Sequence, residues 1–336
     1  MAKKVTMKKI ADSLGVSVVS VSKAVRGQDG VSEDLRSVIL AKADEIGYIY
    51  KASDTKKNHK PRIGVLVADR YLDENAFYNG MSECIIKEAS RNKEICLFET
   101  LSSEKEEKRV LPNMIVSGLV DGVIILGQLS AAYIKELSQF ETALIFLDFY
   151  DSHFDVDGVV DDGFFGGYLL TSHLIENGYK DIAYIGSIYA TSSICDRYLG
   201  FCKAMIENGL KIRPEWVIPD RDEDGTFIKL ELPKEMPKAF VCNCDSIAYS
   251  LIKDLKKEGY RIPEDLAVVG YDDYFFSTMC NPKLTTLRVN MVSMCHEAYL
   301  LIKQKIENRK LNIGRKVVCG ELIVRDSVIN CELLNR

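Results

Sequence analysis

The first sixty residues contain three short stretches in which apolar residues recur at helical spacing. Each stretch begins after a residue that can cap a helix, first Thr6, then Ser17 and then Ser32. Gly15 separates the first two stretches and permits a tight turn between them. Three short helices with a glycine turn between the first two predict a helix-turn-helix, whose second helix is slim enough to enter a DNA major groove about 12 Å wide.

From residue 62 onward, short apolar runs alternate with helical stretches. We predict strands at residues 63–68, 95–99, 122–126, 143–148, 158–160, 182–186, 239–242, 266–270 and 317–324. We predict helices near residues 77–92, 104–117, 131–139, 164–177, 194–208, 245–258 and 291–308. Because the strands are apolar on both faces and alternate with helices, they indicate parallel sheets that helices cover.

The pattern divides the chain into a headpiece at residues 1–48, a linker at 49–61 and a body at 62–336. The linker is polar and basic and ends at a proline. In the body, nine strands with crossovers near 148–162 and 280–292 fit two sheets, and therefore two lobes, better than one. Because open parallel sheets bind ligands beyond the carboxyl ends of their strands, we expect a ligand cleft there.

Charge is distributed unevenly along the chain. The 336 residues carry a formal net charge of −5, which by itself argues against a nucleic-acid partner. The first sixty residues, however, hold twelve Lys and Arg against seven Asp and Glu, so they carry +5 and the remainder −10. This division favours a small nucleic-acid-binding unit attached to an acidic body.

Several classes of protein are excluded by missing patterns. The ten cysteines form no CxxC pair, and we expect them to be free thiols in a reducing cytoplasm. An uncharged apolar run of about 18 residues, as a membrane span requires, is absent. The four histidines are scattered, and no GxGxxG, GxxxxGK[ST] or GxSxG motif occurs. Glycines 163, 166 and 167 lack phosphate-loop spacing and fit close helix packing. We therefore predict no enzyme, with no catalytic residue, metal or cofactor.

The headpiece carries a motif that matches a known family in register. The matching residues are Val5-Thr6-x3-Ile10-Ala11-x3-Gly15-Val16-Ser17-x2-Ser20-Val21-Ser22-Lys23-Ala24-Val25, then Val31-Ser32 and Glu45-x-Gly47-Tyr48. This run resembles the headpiece of the LacI/GalR family of transcription regulators. The resemblance implies a small all-α helix-turn-helix headpiece and an α/β, periplasmic-binding-protein-like body of two lobes with parallel sheets.

The resemblance also assigns DNA contacts to headpiece residues. It implies that Val18, Val19 and Lys23 face base edges, and that phosphates are held by Thr6, Ser17, Ser20, Ser22 and Arg26. Since two valines can only contact thymine methyl groups or exclude other bases, Lys23 is the one strong hydrogen-bonding base reader among the three. The family more often has an arginine at that position and a polar residue at Val19, so we expect a modest sequence preference.

The linker departs from the family pattern. The family carries an Asn-x2-Ala-x2-Leu hinge whose leucine wedges into the minor groove, but these places hold Lys51, Asp54 and Lys57. Because no leucine is available to act as the wedge, we expect the bound DNA to be bent less than in relatives that have it.

Residues near predicted strand ends are candidates for an effector site. Arg197 and Asp272 lie in stretches that resemble the family's effector-binding arginine and carboxylate, and Asp148 ends a strand. For a sugar, carboxylates accept from hydroxyls, an arginine donates in a fork, and an aromatic face covers the ring. The remaining candidates are the aromatic residues Phe77, Tyr78 and Trp216, and Asp245, which matches the family's Asn-Asp pair. Core packing or helix capping is the alternative role for several of these residues.

Two departures concern the body. The asparagine of the family's Asn-Asp pair is replaced by Cys244, which alters the polar groups of the cleft, so the family's familiar sugars cannot be assumed. Residues 220–238 are rich in Asp and Glu where the family has a helix, and we expect these acidic side chains to be solvated surface.

These observations predict a cytoplasmic, homodimeric repressor. One headpiece reaches only about one half-site, so a two-fold pair is needed to read a pseudo-palindromic operator in double-stranded DNA. A small-molecule effector, a sugar or an oligosaccharide, would bind between the lobes and control DNA affinity. The alternatives are an exported solute receptor, which would lack the headpiece and need an export signal, and a regulator whose body binds a protein partner.

Overall fold

A computed structural model describes residues 6–25, 28–46, 48, 60–72, 76–222 and 225–329. Its headpiece contains three helices, α1 (Met7–Leu14), α2 (Val18–Val25) and α3 (Glu33–Glu45). Thr6 and Ser32 cap α1 and α3 by accepting hydrogen bonds from backbone N–H groups. Gly15 follows α1 with φ +64°, a conformation that glycine adopts without strain. The predicted helix-turn-helix is thus confirmed in the described part of the headpiece, while most of the predicted linker, residues 49–59, lies outside the described residues.

The first lobe of the body is built on a six-stranded parallel sheet with the order β11-β5-β4-β3-β1-β2. Its strands are β1 (Arg62–Ala68), β2 (Ile95–Leu101), β3 (Gly122–Leu126), β4 (Ala143–Leu147), β5 (Gly158–Asp161) and β11 (Arg315–Val318). Its helices are α4 (Ala76–Arg91), α5 (Ser103–Glu107), α6 (Asn113–Val116), α7 (Ala131–Leu137) and α12 (Met291–Glu307). The central strands β3 and β4 are fully buried, as two-faced apolar strands predict.

The second lobe has a six-stranded sheet with the order β12-β10-β9-β8-β6-β7. Its strands are β6 (Ile182–Ile185), β7 (Val217–Ile218), β8 (Ala239–Cys242), β9 (Ala267–Asp272), β10 (Thr285–Arg288) and β12 (Glu321–Ile323). Its helices are α8 (Gly163–Glu176), α9 (Ser192–Glu207), α10 (Asp245–Lys257) and α11 (Phe275–Met279). All strand pairs are parallel except β10 with β12. The predicted α/β class with two parallel-sheet lobes is confirmed.

The chain passes between the sheets three times, after β5, after β10 and between β11 and β12. The third passage divides the stretch 317–324, which the apolar pattern predicts as one strand, into edge strands of different sheets. Gly320 lies at this passage, and a Cβ there would come within 2.7 Å of the Arg288 carbonyl oxygen. The helix predicted at 104–117 is likewise divided: α5 ends at Glu107, Arg109 has positive φ of +53°, and α6 begins directly after Pro112.

Helices α8 and α9 pack closely through glycines. A Cβ on Gly167 would lie 2.1 Å from the Arg197 carbonyl oxygen, and one on Gly200 would lie 1.9 Å from that of Phe164. These distances leave no room for a side chain, so the two backbones touch. The interpretation of the glycines at 163–167 as packing residues is confirmed, and the contact fixes the position of Arg197 on α9.

We expect Gly200→Ala to lower the free energy of unfolding by on the order of 2 kcal/mol, because the added methyl group must push two backbones apart. Urea denaturation can be followed through Trp216, the one tryptophan of the chain, which is buried in the second lobe. The matched control is Leu199→Ala at the neighbouring, 47% exposed position, where we expect a change within about 0.5 kcal/mol. Equal losses from both substitutions would contradict the packing argument.

Candidate functional site

Two aspartates project from strand ends of different lobes. Asp148 directly follows β4, and Asp272 is the last residue of β9. Both have positive φ, +68° and +112°, which aspartate tolerates better than most residues with a Cβ. The backbone turns sharply at each strand end and both carboxylates, 4% and 8% exposed, line the same pocket between the lobes.

Arg197 of α9 reaches the same place from the second lobe and is 6% exposed. Its Nη1 donates to the Asn243 carbonyl oxygen at 2.6 Å, its Nη2 lies 3.8 Å from Asp272 Oδ1, and its Cζ lies 3.8 Å from the centre of the Tyr271 ring. Burial by itself would lower the pKa of Arg197, but Asp272, Tyr271, Asp161 and Asp148 raise it overall. The guanidinium therefore stays charged.

Asp148 is held by Tyr78 of α4, whose hydroxyl donates to Asp148 Oδ2 at 2.8 Å. Burial raises the pKa of Asp148, and the Arg197 charge and the Tyr78 hydrogen bond offset part of this effect. Burial also raises the pKa of Asp272 well above its usual range, against the effect of Arg197. Both carboxyls are therefore easier to protonate than solvent-exposed ones.

Three buried polar atoms at this place have no hydrogen-bond partner among the described residues: Asp148 Oδ1, Asn243 Oδ1 and Arg197 Nε. Buried polar atoms are normally paired, so unpaired ones around a pocket are available to a ligand. Two of the atoms accept and one donates. This set matches a ligand that carries several hydroxyl groups.

We call this pocket the inner chamber. It is lined by Tyr71, Phe77, Tyr78, Asp148, Thr191, Ser193, Ile194, Arg197, Arg221, Asn243, Cys244 and Asp272. The structure therefore brings together five of the seven effector residues predicted from the sequence, namely Phe77, Tyr78, Asp148, Arg197 and Asp272. Cys244 also lines the chamber, and burial raises the pKa of its thiol to about 11, so it is a neutral side chain at ordinary pH.

Trp216, a candidate ring cover with core packing as its alternative role, does not line the chamber. It is 2% exposed inside the core of the second lobe, and its Nε1 donates to the Glu235 carbonyl oxygen at 3.0 Å. Arg213 covers its outer side, with Cζ 4.1 Å from the ring centre. An apolar ring between a strand and an arginine is stabilised by packing, so Trp216 has a structural role.

Asp245 does not line the chamber either. As the first residue of α10, it accepts from the Thr286 hydroxyl at 2.7 Å and from the Tyr274 N–H at 3.0 Å. Burial raises its pKa to about 7, although both hydrogen bonds oppose the shift. It therefore joins α10 to the loop after β9, and the structure does not bring it together with the other effector candidates.

A buried ion pair that the sequence does not indicate lies beside the chamber. Asp220 is fully buried, pairs with Arg221 through two oxygens, and accepts from the Asn243 amide at 2.7 Å. The expectation of solvated acidic residues is therefore wrong at Asp220. The two residues follow the two-residue strand β7, which is too short to stand out in the sequence, so this strand end was not recognised.

The headpiece residues that were predicted to contact DNA lie on or next to the first two helices. Thr6 caps α1, and Ser17 Oγ accepts from the Ser20 N–H at 3.0 Å at the start of α2. Val18, Val19 and Lys23 are half-buried, whereas Ser22 is 4% exposed, so a phosphate contact by its hydroxyl would require exposure. Arg26 lies outside the described residues.

Arg36 of α3, which the sequence analysis did not single out, holds the end of α2. It donates to the carbonyl oxygens of Lys23 at 3.4 Å, Ala24 at 3.2 Å and Gln28 at 2.5 Å. The last carbonyls of a helix have no partner within that helix, so a cation there stabilises its end. Arg36 therefore fixes the helix that carries the predicted base readers.

The described part of the chain contains neither a membrane-spanning helix nor a cluster of metal ligands. No helix there is both long and apolar enough to cross a bilayer. No group of three or more His, Cys, Asp or Glu side chains there could hold a metal ion.

Comparisons with known proteins agree with this architecture. A family described as a periplasmic-binding-protein-like domain matches residues 171–328. The transcriptional regulator RegA of Clostridium saccharobutylicum is 31% identical, over 96% of this chain and 99% of its own. The transcriptional repressor PurR of Pasteurella multocida strain Pm70 is 28% identical, over 96% of this chain and 98% of its own. The solved complex of the regulator CelR with cellobiose superposes with a TM-score of 0.70 at 22% identity, over 96% of this chain and 100% of CelR, and so shares the fold.

Proposed function

Because this chain belongs to the LacI/GalR family and is a transcriptional repressor, we propose that a sugar bound between its lobes controls its affinity for operator DNA. The relatives are regulators rather than enzymes, and this chain is likewise a regulator. The observation that carries the proposal is the convergence of Asp148, Arg197 and Asp272 in one buried chamber, with Asp148 on one lobe and the other two on the second.

The chamber has the chemistry that a sugar requires. Asp148 and Asp272 can each accept hydrogen bonds from ring hydroxyls, and Arg197 can donate one through Nε. Phe77 and Tyr78 place two aromatic rings beside them, with centres 5.5 Å apart and nearly perpendicular planes. A concave site with aromatic walls and a few aimed polar groups is typical of small-molecule binding. The cellobiose bound by CelR, which has the same fold, supports a carbohydrate.

We assign the proposed DNA binding to the headpiece. We propose that a homodimer presents two α2 helices to a pseudo-palindromic operator, with Val18, Val19 and Lys23 towards base edges. Thr6, Ser17, Ser20 and Arg26 would hold phosphates, and Ser22 would join them once exposed. Two copies of a headpiece with net charge +5 would give DNA binding that weakens steeply with salt despite the acidic whole.

The coupling we propose runs through closure of the lobes. Gln128 of the first lobe accepts from the Ser192 N–H of the second at 2.9 Å, so the cleft already has contacts across it. A sugar can shift the equilibrium between open and closed lobes only if it binds one state more tightly than the other. Closure would change the relative positions of the two headpieces and thereby the affinity for the operator.

We expect Lys23→Ala to weaken binding to the cognate operator by about 1–3 kcal/mol relative to random DNA, because one hydrogen-bonding base contact is lost. Fluorescence anisotropy at fixed salt measures this change. Lys42→Ala on α3 is the matched control. Lys42 pairs with Glu45, and its substitution removes one positive charge from the headpiece, as Lys23→Ala does.

Asp272→Ala tests the other site of the proposed repressor. We expect it to weaken sugar binding, measured by calorimetry, while the ratio of operator to random DNA affinity stays unchanged. If both substitutions damaged the same activity equally, the two-site picture would be wrong. If the body binds no sugar but binds a protein, the regulator responds to a protein partner and not to the proposed sugar.

A further inference from the structure

We infer that the effector is an uncharged oligosaccharide of at least two sugar units, with one unit in the inner chamber and the next in a second chamber outside it. The inference rests on the proposed sugar effector and specifies its size and charge. Its basis is the shape of the cleft, the pairing of the arginines that line it, and the aromatic ring between the two chambers.

The second chamber, which we call the outer chamber, continues the cleft towards solvent. It shares Tyr71, Thr191 and Arg221 with the inner chamber, so the same side chains form a wall of both. It is also lined by Arg70 and Glu106, and its volume is about 330 Å³, compared with about 40 Å³ for the inner chamber, which admits a sugar ring only once the lobes move apart. A ligand confined to the inner chamber would leave the larger part of the cleft without contacts.

The polar groups of the outer chamber are already fixed in place. Glu106 is 7% exposed and accepts from the Ser130 N–H at 2.6 Å and from Arg70 Nη1 at 2.6 Å. Arg70 also donates to the Gln128 carbonyl oxygen at 3.1 Å. Groups held rigidly before binding lose little entropy when a ligand arrives. The chamber is therefore a preformed polar surface, as a second sugar ring with its hydroxyls requires.

The charge balance disfavours an anionic ligand. Both arginines of the outer chamber are neutralised by buried carboxylates, Arg70 by Glu106 and Arg221 by Asp220. In the inner chamber two carboxylates, Asp148 and Asp272, face Arg197, and the other arginine of its lining is the same Arg221 that Asp220 neutralises. A phosphate or carboxylate would have to break an ion pair or approach an excess of negative charge, which is unfavourable in a buried site.

Tyr71 stands where the chambers meet. Its ring centre lies 4.8 Å from that of Tyr78, its hydroxyl donates to the Gln128 carbonyl oxygen at 2.8 Å, and the Arg70 guanidinium lies 5.0 Å from its ring centre. The two tyrosines form a continuous apolar surface from the inner to the outer chamber. Such a surface fits the apolar faces of two linked sugar rings.

Calorimetry on the full chain tests this inference with matched sugars. The probes are cellobiose, maltose and lactose, their component monosaccharides glucose and galactose, and glucose 6-phosphate. We expect at least one disaccharide to bind at least tenfold more tightly than its component monosaccharides, and glucose 6-phosphate to bind at least tenfold more weakly than glucose. A monosaccharide that binds as tightly as every disaccharide, or a tighter phosphorylated sugar, would overturn the inference while leaving a sugar effector in place.

A substitution that fills the outer chamber provides the second measurement. Ala190 lines the outer chamber but not the inner one, so Ala190→Trp should bring the disaccharide and monosaccharide affinities within about twofold of each other. Tyr189→Trp is the control, because Tyr189 is 96% exposed and lines neither chamber. A disaccharide preference that survives Ala190→Trp overturns the inference. If no sugar of either size binds or alters operator affinity, the proposed sugar effector fails as well.

Discussion

Arg197→Ala is expected to lower the free energy of unfolding by about 3–5 kcal/mol, the usual loss when one partner of a buried ion pair is removed. Arg197 is the cation of the inner chamber that lies beside Asp272, and Asp148, Asp161 and Asp272 all raise its pKa. Without it, these three buried carboxylates would lose the charge that compensates them, because Arg221, the other arginine of the chamber, pairs with Asp220. The substitution should also abolish measurable sugar binding, since the chamber loses the one buried side-chain donor of its lining that has no partner among the described residues.

The pH dependence distinguishes this mechanism from a simple loss of packing. The carboxylates left behind can avoid repulsion by taking up protons, so the stability difference between wild type and Arg197→Ala should shrink as pH falls from 8 to 5. Lys203→Ala on the same helix removes an exposed partner of Glu207 and is expected to change stability by less than about 1 kcal/mol. Arg197→Lys keeps the charge and should recover most of the stability. A pH-independent loss would indicate packing alone.

The sequence predicts some site residues well and others poorly, and the reason is physical. Asp148 and Asp272 are indicated by their positions at the ends of apolar strands, which in a parallel sheet converge on one cleft. Arg197 is indicated only by the resemblance of its stretch to the family's effector-binding one, a resemblance that also supports Asp272. Asp220 and Arg221 were missed because the strand before them has only two residues. The local sequence around an ion pair does not show whether tertiary contacts bury the pair or leave it in solvent.

The two candidate effector residues that lie outside the chamber have a different origin. Trp216 is a candidate as the one tryptophan of the chain and Asp245 by its match to the family's Asn-Asp pair, and both are buried next to strands in the second lobe. The sequence does not show on which side of the sheet a side chain lies. Asn243 illustrates the same limit, because its side-chain amide contacts Asp220 beside the inner chamber although the family's asparagine position, one residue later, holds Cys244.

Another buried carboxylate, that of Asp161, lies where the chain first crosses from one lobe to the other. Asp161 is the last residue of β5, immediately before the crossing, and it accepts a hydrogen bond from the Tyr271 hydroxyl of β9. The ring of the same tyrosine packs against the Arg197 guanidinium of the inner chamber. A chain of contacts thus joins the inner chamber to the first crossing through Arg197, Tyr271 and Asp161. The Oδ1 atom of Asp161 is buried and has no partner among the described residues.

Asp161→Asn is expected to stabilise the protein at pH 7.5 by about 3 kcal/mol. Burial raises the pKa of Asp161 to about 6, although Arg197 and the Tyr271 hydrogen bond oppose the shift, whereas the unfolded chain has a pKa near 3.9. Because the folded state holds this proton more tightly, its contribution to stability is present below pH 4 and is lost as pH rises to about 6. Asparagine keeps an acceptor for Tyr271 and carries no charge to bury.

Urea denaturation of wild type and Asp161→Asn at pH 4, 5, 6 and 7.5 measures the effect, with the difference near zero at pH 4 and largest above pH 6. Asp162→Asn is the matched control, because Asp162 caps α8 by accepting from the Phe165 N–H at 3.0 Å, and asparagine caps a helix about as well. A difference that does not depend on pH would contradict the buried charge as its cause. The expected gain means that the natural residue lowers stability at the crossing between the lobes, where the proposed closure would take place.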